Sequence, residues 1–164
     1  MGNKTFYHGT DHWEDIVESG AILSPWEQRI KFFNQIYTEE RFKERYGQKS
    51  IEEVALEQSS ESFHEEEIKH RVKCVSLTPN KIEAYEKGVV VLEVTESPSW
   101  EIYNPGSPVL FIKGKVSLDT LRGVFYKPLS YDQKRNEFKG LDGLQQLALS
   151  KAFNKYGVKI IRDK

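Results

Sequence analysis

The chain has 164 residues, 38% of them hydrophobic and 30% charged, which is enough to bury the core of a single globular domain. Its 24 basic and 25 acidic residues give a formal net charge of −1, which excludes the overall positive charge typical of nucleic-acid-binding domains. The single cysteine, Cys74, has no partner for an internal disulfide, and no apolar run reaches membrane-spanning or signal-segment length. We therefore expect a cytoplasmic protein with no membrane partner.

The chain begins with a predicted strand and a predicted amphipathic helix. Residues 5–8 are rich in strand-forming side chains, and Asp11 followed three residues later by Glu14 is typical of a capped helix start. The helix is expected to end at Gly20, a residue that favours the left-handed conformation found after a last helical turn.

Residues 25–71 form a charged, helix-favouring stretch. Apolar side chains recur in it at helical spacing, which predicts two or three helices. Ser50, with Glu53 three residues later, is expected to cap one of them. We interpret this stretch as a helical insertion into a single domain that spans residues 1–164. We expect the insertion either to close over a cleft or dock a target, or only to stabilise the fold.

After Arg71 the pattern changes to predicted strands. Residues 72–77 and 89–94 are strand candidates, and a helical turn begins at Asn80. Further strands are predicted at 109–112, 123–126 and 158–161. A short helical turn is predicted between the first two of these strands, and a helix is predicted at 141–155. Because no regular strand–helix–strand repeat occurs, the order favours an α+β fold over a doubly wound sheet.

Several common types of functional site lack sequence support. His64 and His70 flank an acidic run in HEEEIKH, but the second lies six positions after the first and not four, so they do not share a helix face as two metal ligands would. No metal site is predicted. Cys74 lies in an apolar strand, where a thiol is usually inert, and neither a nucleophile elbow nor a phosphate-binding glycine loop occurs.

A histidine and a glycine lie side by side at the end of the first strand. The imidazole of His8 can exchange a hydrogen bond with a ribose hydroxyl, while Gly9, which lacks a Cβ, lets its backbone N–H and C=O approach a flat amide such as nicotinamide. Thr10 can fix the following turn. The alternative interpretation is an ordinary hydrogen-bonded histidine near the core.

Taken with later segments, this strand end resembles a known family. The resemblance is to the ADP-ribosyltransferase superfamily, and it lies in YHGT, in the helix ending ESGAI, and in the strand VSLTP followed by a helix bearing Ala84-Tyr85. The segment HGTDHWEDIVESGAI is most similar to the RNA 2′-phosphotransferase branch of that superfamily. The resemblance covers residues 6–23 and 74–94. It implies an ADP-ribosyltransferase-like split pair of small antiparallel sheets with flanking helices, and NAD bound between the sheets.

The resemblance also implies roles for individual residues. His8 would hold the adenosine-side ribose, Gly9 would clamp the nicotinamide amide through its backbone, and Tyr85 would stack on the nicotinamide ring. Ser76 occupies the position where other branches place a tyrosine or a histidine, and Thr78 follows on the same strand face. The nucleotide-binding residues implied in this way are His8, Gly9, Thr10, Ser76, Thr78 and Tyr85.

The family's catalytic carboxylate is not obvious in this sequence. Cleavage of the nicotinamide–ribose bond creates an oxocarbenium-like centre that a nearby carboxylate stabilises. Ser107-Pro108 stand where the family places a late glutamate, so Glu137 and Glu101 are the candidate substitutes.

The resemblance predicts an NAD-dependent ADP-ribosyltransferase, a glycosyl-transferring enzyme that uses NAD as substrate and a protein or nucleic acid as acceptor. One alternative is a catalytically silent or inhibitory protein that binds NAD or an ADP-ribose-like nucleotide on the same fold. The other is an NAD-dependent RNA 2′-phosphotransferase, against which Ser76 and the near-neutral charge both argue.

Overall fold

The computed structural model describes residues 4–59 and 70–164, which form a mixed α+β fold. Its centre is a four-stranded sheet with the spatial order β1-β4-β7-β10. These strands are β1 (Thr5–Thr10), β4 (Val90–Thr95), β7 (Leu121–Tyr126) and β10 (Lys159–Arg162). The first three are antiparallel, and β10 runs parallel to β7.

A second, two-stranded sheet lies beside the edge strand β1. It pairs β3 (Cys74–Leu77) with β5 (Leu110–Lys113). The two sheets are joined where Tyr7 and Thr78 exchange two backbone hydrogen bonds, with N–O distances of 2.7 and 3.0 Å. Because this is an isolated bridge, β1 and β3 separate immediately beyond it and leave a cleft between their facing edges.

Two shorter pairs complete the described sheets: β2 (Ala21–Ile22) with β6 (Val116–Ser117), and β8 (Ser130–Asp132) with β9 (Glu137–Lys139). The predicted α+β class is confirmed, but the sheets differ from a simple antiparallel pair because β10 is parallel. The sequence did not predict β2 and β6, since strands of two residues are too short to show alternation.

Two helices cover one face of the central sheet. They are α1 (Trp13–Ser19) and α6 (Gly143–Phe153), and they pack onto β4 and β7 through buried side chains, among them Ile16, Leu92 and Phe153. Gly20 ends α1 in the left-handed conformation, as predicted. The predicted cap is wrong: His12 occupies the N-cap position without a side-chain bond, and Asp11 instead accepts a hydrogen bond from the Val89 N–H at 2.9 Å.

Three helices lie between residues 25 and 59, in the described part of the predicted insertion: α2 (Pro25–Ile36), α3 (Glu39–Tyr46) and α4 (Ile51–Ser59). They begin at side-chain caps on Ser24, Thr38 and Ser50, the last as predicted. Phe33, Phe42, Val54 and Ala55 form a buried core of their own, separate from the core of the sheet.

The insertion is attached to the rest of the protein through Trp26. Its indole N–H donates to the Glu52 carbonyl at 3.0 Å, its backbone N–H donates to the Val72 carbonyl at 3.0 Å, and the Lys73 ammonium lies 4.8 Å from the ring centroid. One aromatic residue thus joins α2 to α4 and to the segment that leads into β3.

The remaining helical segments are short. They are α5 (Lys81–Ala84), capped by Asn80, and two 3₁₀ turns, Leu118–Thr120 and Asn154–Tyr156. None of the helices within residues 4–59 and 70–164 combines the length and the apolar character needed to cross a membrane.

We expect the insertion to depend on its small aromatic core. Phe33 is 2% exposed and its neighbour Phe32 is 45% exposed, so they form a matched pair. Phe33→Ala should cost about 3–5 kcal/mol in the free energy of unfolding, because it leaves a cavity, whereas Phe32→Ala should cost less than about 1 kcal/mol. Urea denaturation followed by circular dichroism measures both, and equal losses would contradict a separate insertion core.

Candidate functional site

The cleft between β1 and β3 contains two cavities that meet at the end of β1. The larger has a volume of about 530 Å³ and the smaller about 240 Å³. His8, Gly9, Ser76 and Lys87 line both of them. His8 and Gly9, the strand end identified in the sequence, therefore lie where the two cavities adjoin.

His8 links the two diverging strands. Its Nδ1 lies 3.0 Å from the backbone carbonyl of Ser76, and because a carbonyl only accepts hydrogen bonds, Nδ1 must carry the proton. Burial lowers the pKa of His8, and the hydrogen bond to Ser76 only partly opposes this. The ring is therefore neutral near pH 7, and Nε2 keeps a lone pair that can accept a hydrogen bond.

Gly9 presents unpaired backbone groups to the cleft. Along an antiparallel strand, alternate residues direct their N–H and C=O groups to opposite sides. Tyr7 directs its groups toward Thr78, so Gly9, two residues later, faces the same side. Within the part of the chain that the structure describes, these two groups have no hydrogen-bond partner, although Gly9 is buried. Such a pair is unfavourable unless a ligand or water satisfies it.

The facing edge of β3 shows the same alternation. Thr78 turns its backbone groups toward β1, so Ser76 does too. The Ser76 carbonyl accepts from His8, an imidazole bond that stands in place of the next backbone pair. The ladder thus stops one step before Gly9 and leaves its edge open.

Close backbone packing explains why residue 9 is a glycine. A Cβ on Gly9 would lie 1.6 Å from the carbonyl oxygen of Ala84, and a Cβ on Gly88 would lie 2.1 Å from the carbonyl carbon of Thr10. The segment that follows β3 therefore lies directly against the end of β1. The missing Cβ of Gly9 thus makes room for α5 and not, as predicted, for a ligand, and the side that faces the cleft is the strand edge.

Charged side chains divide unequally between the cavities. Arg71 lines the larger one, with its guanidinium carbon 5.2 Å from the Phe111 ring centroid, and Lys87 lines both. Glu83 and Glu86 line the smaller cavity, where Glu83 accepts a hydrogen bond from the Thr78 hydroxyl at 2.9 Å. Asp11 also lines the larger cavity, so cationic side chains outnumber carboxylates there, whereas carboxylates outnumber the one lysine in the smaller cavity. The larger cavity therefore favours anionic groups, and the smaller one favours a group that gains positive charge.

Most of the predicted nucleotide-binding residues come together at this cleft. His8, Gly9 and Ser76 line both cavities, Thr10 lines the larger and Thr78 the smaller. The Thr10 side chain is buried, and its hydroxyl accepts from the His12 N–H at 2.9 Å, which is the turn-fixing bond expected from the sequence.

The structure places three predicted site residues elsewhere. Tyr85 donates its hydroxyl proton to Asp163 at 2.7 Å and packs under Lys127, so it does not line either cavity and is not positioned to stack there. Glu101 is exposed and pairs with Lys113 at 3.0 Å. Glu137 is exposed on β9. Neither glutamate lines the described cleft, because β9 and the segment before β5 lie outside it.

Sequence reasoning missed several residues of the cleft wall. No local motif marks these residues, which are Arg71, Lys87, Glu83, Glu86 and Gln28. They come to the cleft through the packing of the chain around β1 and β3, to which α2 and the α5 segment contribute. The one available signal was position, since Glu83, Glu86 and Lys87 follow a strand that the sequence identified. Of the two histidines in HEEEIKH, His70 lies 6.1 Å from the Tyr103 ring and His64 lies outside the described residues.

Comparison of the sequence with protein-family models and with curated proteins found no match in either case.

The lowered pKa of His8 predicts a pH-dependent loss of stability. The unfolded chain takes up a proton on this histidine near pH 6.5, whereas the folded chain resists it until a lower pH. His8 therefore causes no loss in the free energy of unfolding above pH 6.5. As the pH drops from 6.5 toward the folded-state pKa of His8, the free energy of unfolding falls by up to about 1.4 kcal/mol per pH unit.

The measurement is the unfolding free energy from about pH 7.5 to about pH 5.5 for the unmodified protein, His8→Gln and His70→Gln. His8→Gln should remove this component of the acid loss. His70→Gln, at an exposed position, should keep the profile of the unmodified protein. Identical slopes for the unmodified protein and His8→Gln would contradict a buried neutral His8.

Proposed function

We propose that this protein is an NAD-dependent ADP-ribosyltransferase with the fold of that superfamily. The single observation that carries the proposal is the open edge of Gly9, whose buried backbone N–H and C=O have no partner among residues 4–59 and 70–164. This edge lies beside a neutral His8, in a cleft between two separating strands. A ligand with one donor and one acceptor side by side in a plane would satisfy both groups.

A nicotinamide carboxamide has that pattern. Its NH₂ group would donate to the Gly9 carbonyl and its oxygen would accept from the Gly9 N–H, as a neighbouring strand would. His8 Nε2 would accept from a ribose hydroxyl, which explains why its Nδ1 is held on Ser76. Arg71 and Lys87 in the larger cavity provide positive charge for the pyrophosphate.

The reaction needs negative charge near the anomeric carbon. The bond between C1′ and the nicotinamide nitrogen breaks, its electron pair goes to nicotinamide, and C1′ gains positive charge before the acceptor's nucleophile bonds to it and loses a proton. Glu86 is the carboxylate we assign to stabilise that charge, because it lines the smaller cavity, while Glu83 is held by Thr78.

A second candidate function is nucleotide binding without turnover. It is favoured by the positions of Glu101 and Glu137 outside the cleft and by the solvent exposure of Glu86. Both functions use the same binding residues, so they differ only in whether nicotinamide is released.

NAD binding should depend on His8. Calorimetric titration of the unmodified protein with NAD should show binding, and His8→Ala should weaken it about tenfold, which corresponds to the loss of one partly buried hydrogen bond. His70→Ala is the matched control and should bind as the unmodified protein does, since His70 lies outside both cavities. No binding by the unmodified protein, or equal affinities for the two variants, would contradict the proposed site.

Nicotinamide release should depend on Glu86. Glu86→Gln keeps the size of the side chain and removes its charge, so it should lower the release rate about 100-fold or more and leave the NAD dissociation constant within about twofold. Glu137→Gln, at an exposed carboxylate on β9, should change neither. Chromatographic measurement of nicotinamide tests this, and binding without release by the unmodified protein would favour the second candidate function.

A further inference from the structure

Three polar side chains meet behind α5, on the side away from the cleft. The Tyr85 hydroxyl donates to Asp163 Oδ2 at 2.7 Å, and the Lys81 ammonium contacts the same oxygen at 3.0 Å. Lys81 and Tyr85 are four residues apart, one helical turn, so both reach the carboxylate from one face of the α5 segment. The Asp163 side chain is only 19% exposed.

Asp163 is itself held by the central sheet. Its backbone N–H donates to the Tyr126 carbonyl at 2.8 Å, which continues the parallel pairing of β10 with β7 by one residue. The carboxylate therefore has a fixed position relative to the strands, and whatever binds it is fixed relative to them too.

The opposite side of the same segment forms the wall of the cleft. Ala84 and Gly88 lie against Gly9 and Thr10 at distances that leave no room for a Cβ. The Val89 N–H donates to Asp11 at 2.9 Å. The segment from Ala84 to Gly88, which carries the cavity-lining Glu86 and Lys87, is thus held between the Asp163 carboxylate and the end of β1.

The charges around the carboxylate favour this arrangement. Burial would raise the pKa of Asp163, but hydrogen bonds from Tyr85 and Lys81 and the positive charges of Lys81 and Lys127 outweigh it and lower the pKa. The Lys127 ammonium lies 4.7 Å from the Tyr85 ring centroid and also restrains the ring. Asp163 is therefore charged when Tyr85 binds it.

We infer that Tyr85 and Asp163 are positioning residues that clamp the α5 segment against Gly9. This inference rests on the proposed function, because what the clamp positions is the wall of the NAD cleft. Tyr85 has its effect from behind the wall, through Ala84 and Lys87, without touching the ligand. A shift of this segment would move Lys87 and Glu86 and change the space beside the Gly9 edge.

The test removes one hydroxyl at a time. Tyr85→Phe breaks the bond to Asp163 and keeps the ring, while Tyr126→Phe is the matched control, since the Tyr126 hydroxyl bonds Gln146 at 3.2 Å. Hydrogen exchange of residues 84–88 and calorimetric NAD affinity are measured for both. Tyr85→Phe should speed exchange in this segment and weaken NAD binding about fivefold. Tyr126→Phe should change neither the exchange of residues 84–88 nor the NAD affinity, even if it lowers the melting temperature as much as Tyr85→Phe does.

Asp163→Ala completes the test, since an asparagine there would still offer an amide oxygen to the Tyr85 hydroxyl. It should have at least the effects of Tyr85→Phe, because it also removes the contact with Lys81. Tyr85→Phe added to Asp163→Ala should have little further effect, because the bond between the two side chains is already absent. Unchanged exchange in residues 84–88, or additive effects, would overturn the clamp. If the unmodified protein fails to bind NAD, the proposed function fails, but the exchange measurement still decides whether Tyr85 and Asp163 hold the segment.

Discussion

The cleft depends on the pair of backbone hydrogen bonds between Tyr7 and Thr78. This pair is the last point at which the central sheet and the β3–β5 sheet are joined through β1. If the ladder continued one step further, Ser76 would satisfy the edge of Gly9 and no cleft would form. Because His8 takes the Ser76 carbonyl instead, the strands separate and leave polar backbone groups exposed to a ligand. One interrupted ladder thus creates both the space and its hydrogen-bonding requirement.

The walls of this cleft come from two segments with different means of support. The α5 segment is pressed against β1 by close backbone contacts at two glycines and is held from behind by Asp163. The other wall includes Pro25 and Gln28 of α2, so the helical insertion contributes directly to the larger cavity. Its separate aromatic core gives α2 a rigid base independent of the sheet. This position supports the interpretation that the insertion helps to form the site rather than only extending the fold.

The charge pattern has a functional consequence of its own. Arg71 and Lys87 outnumber Asp11 in the larger cavity, whereas Glu83 and Glu86 outnumber Lys87 in the smaller one, and Gly9 lines both. Under the proposed function, this order would favour one orientation of a dinucleotide that carries a negative pyrophosphate and a positive nicotinamide ring. The near-zero net charge of the whole chain hides this local separation, because equal numbers of opposite charges cancel in the total.

Local pattern was enough to predict several elements of this protein: the first strand, the helix that ends at Gly20, the cap at Ser50, the helical turn after Asn80 and the buried strand β4. These features depend on neighbours within a few residues, and the sequence contains them directly. Tertiary structure alone decided that β10 joins parallel to β7, that Asp11 binds Val89 instead of capping α1, and that Tyr85 lies behind the cleft wall rather than inside it. It also decided that Glu83 and Glu86, and not Glu101 or Glu137, line the smaller cavity. The physical reason is that each of these contacts joins residues that are far apart in sequence or depends on which way an element packs, and local periodicity carries no information about either.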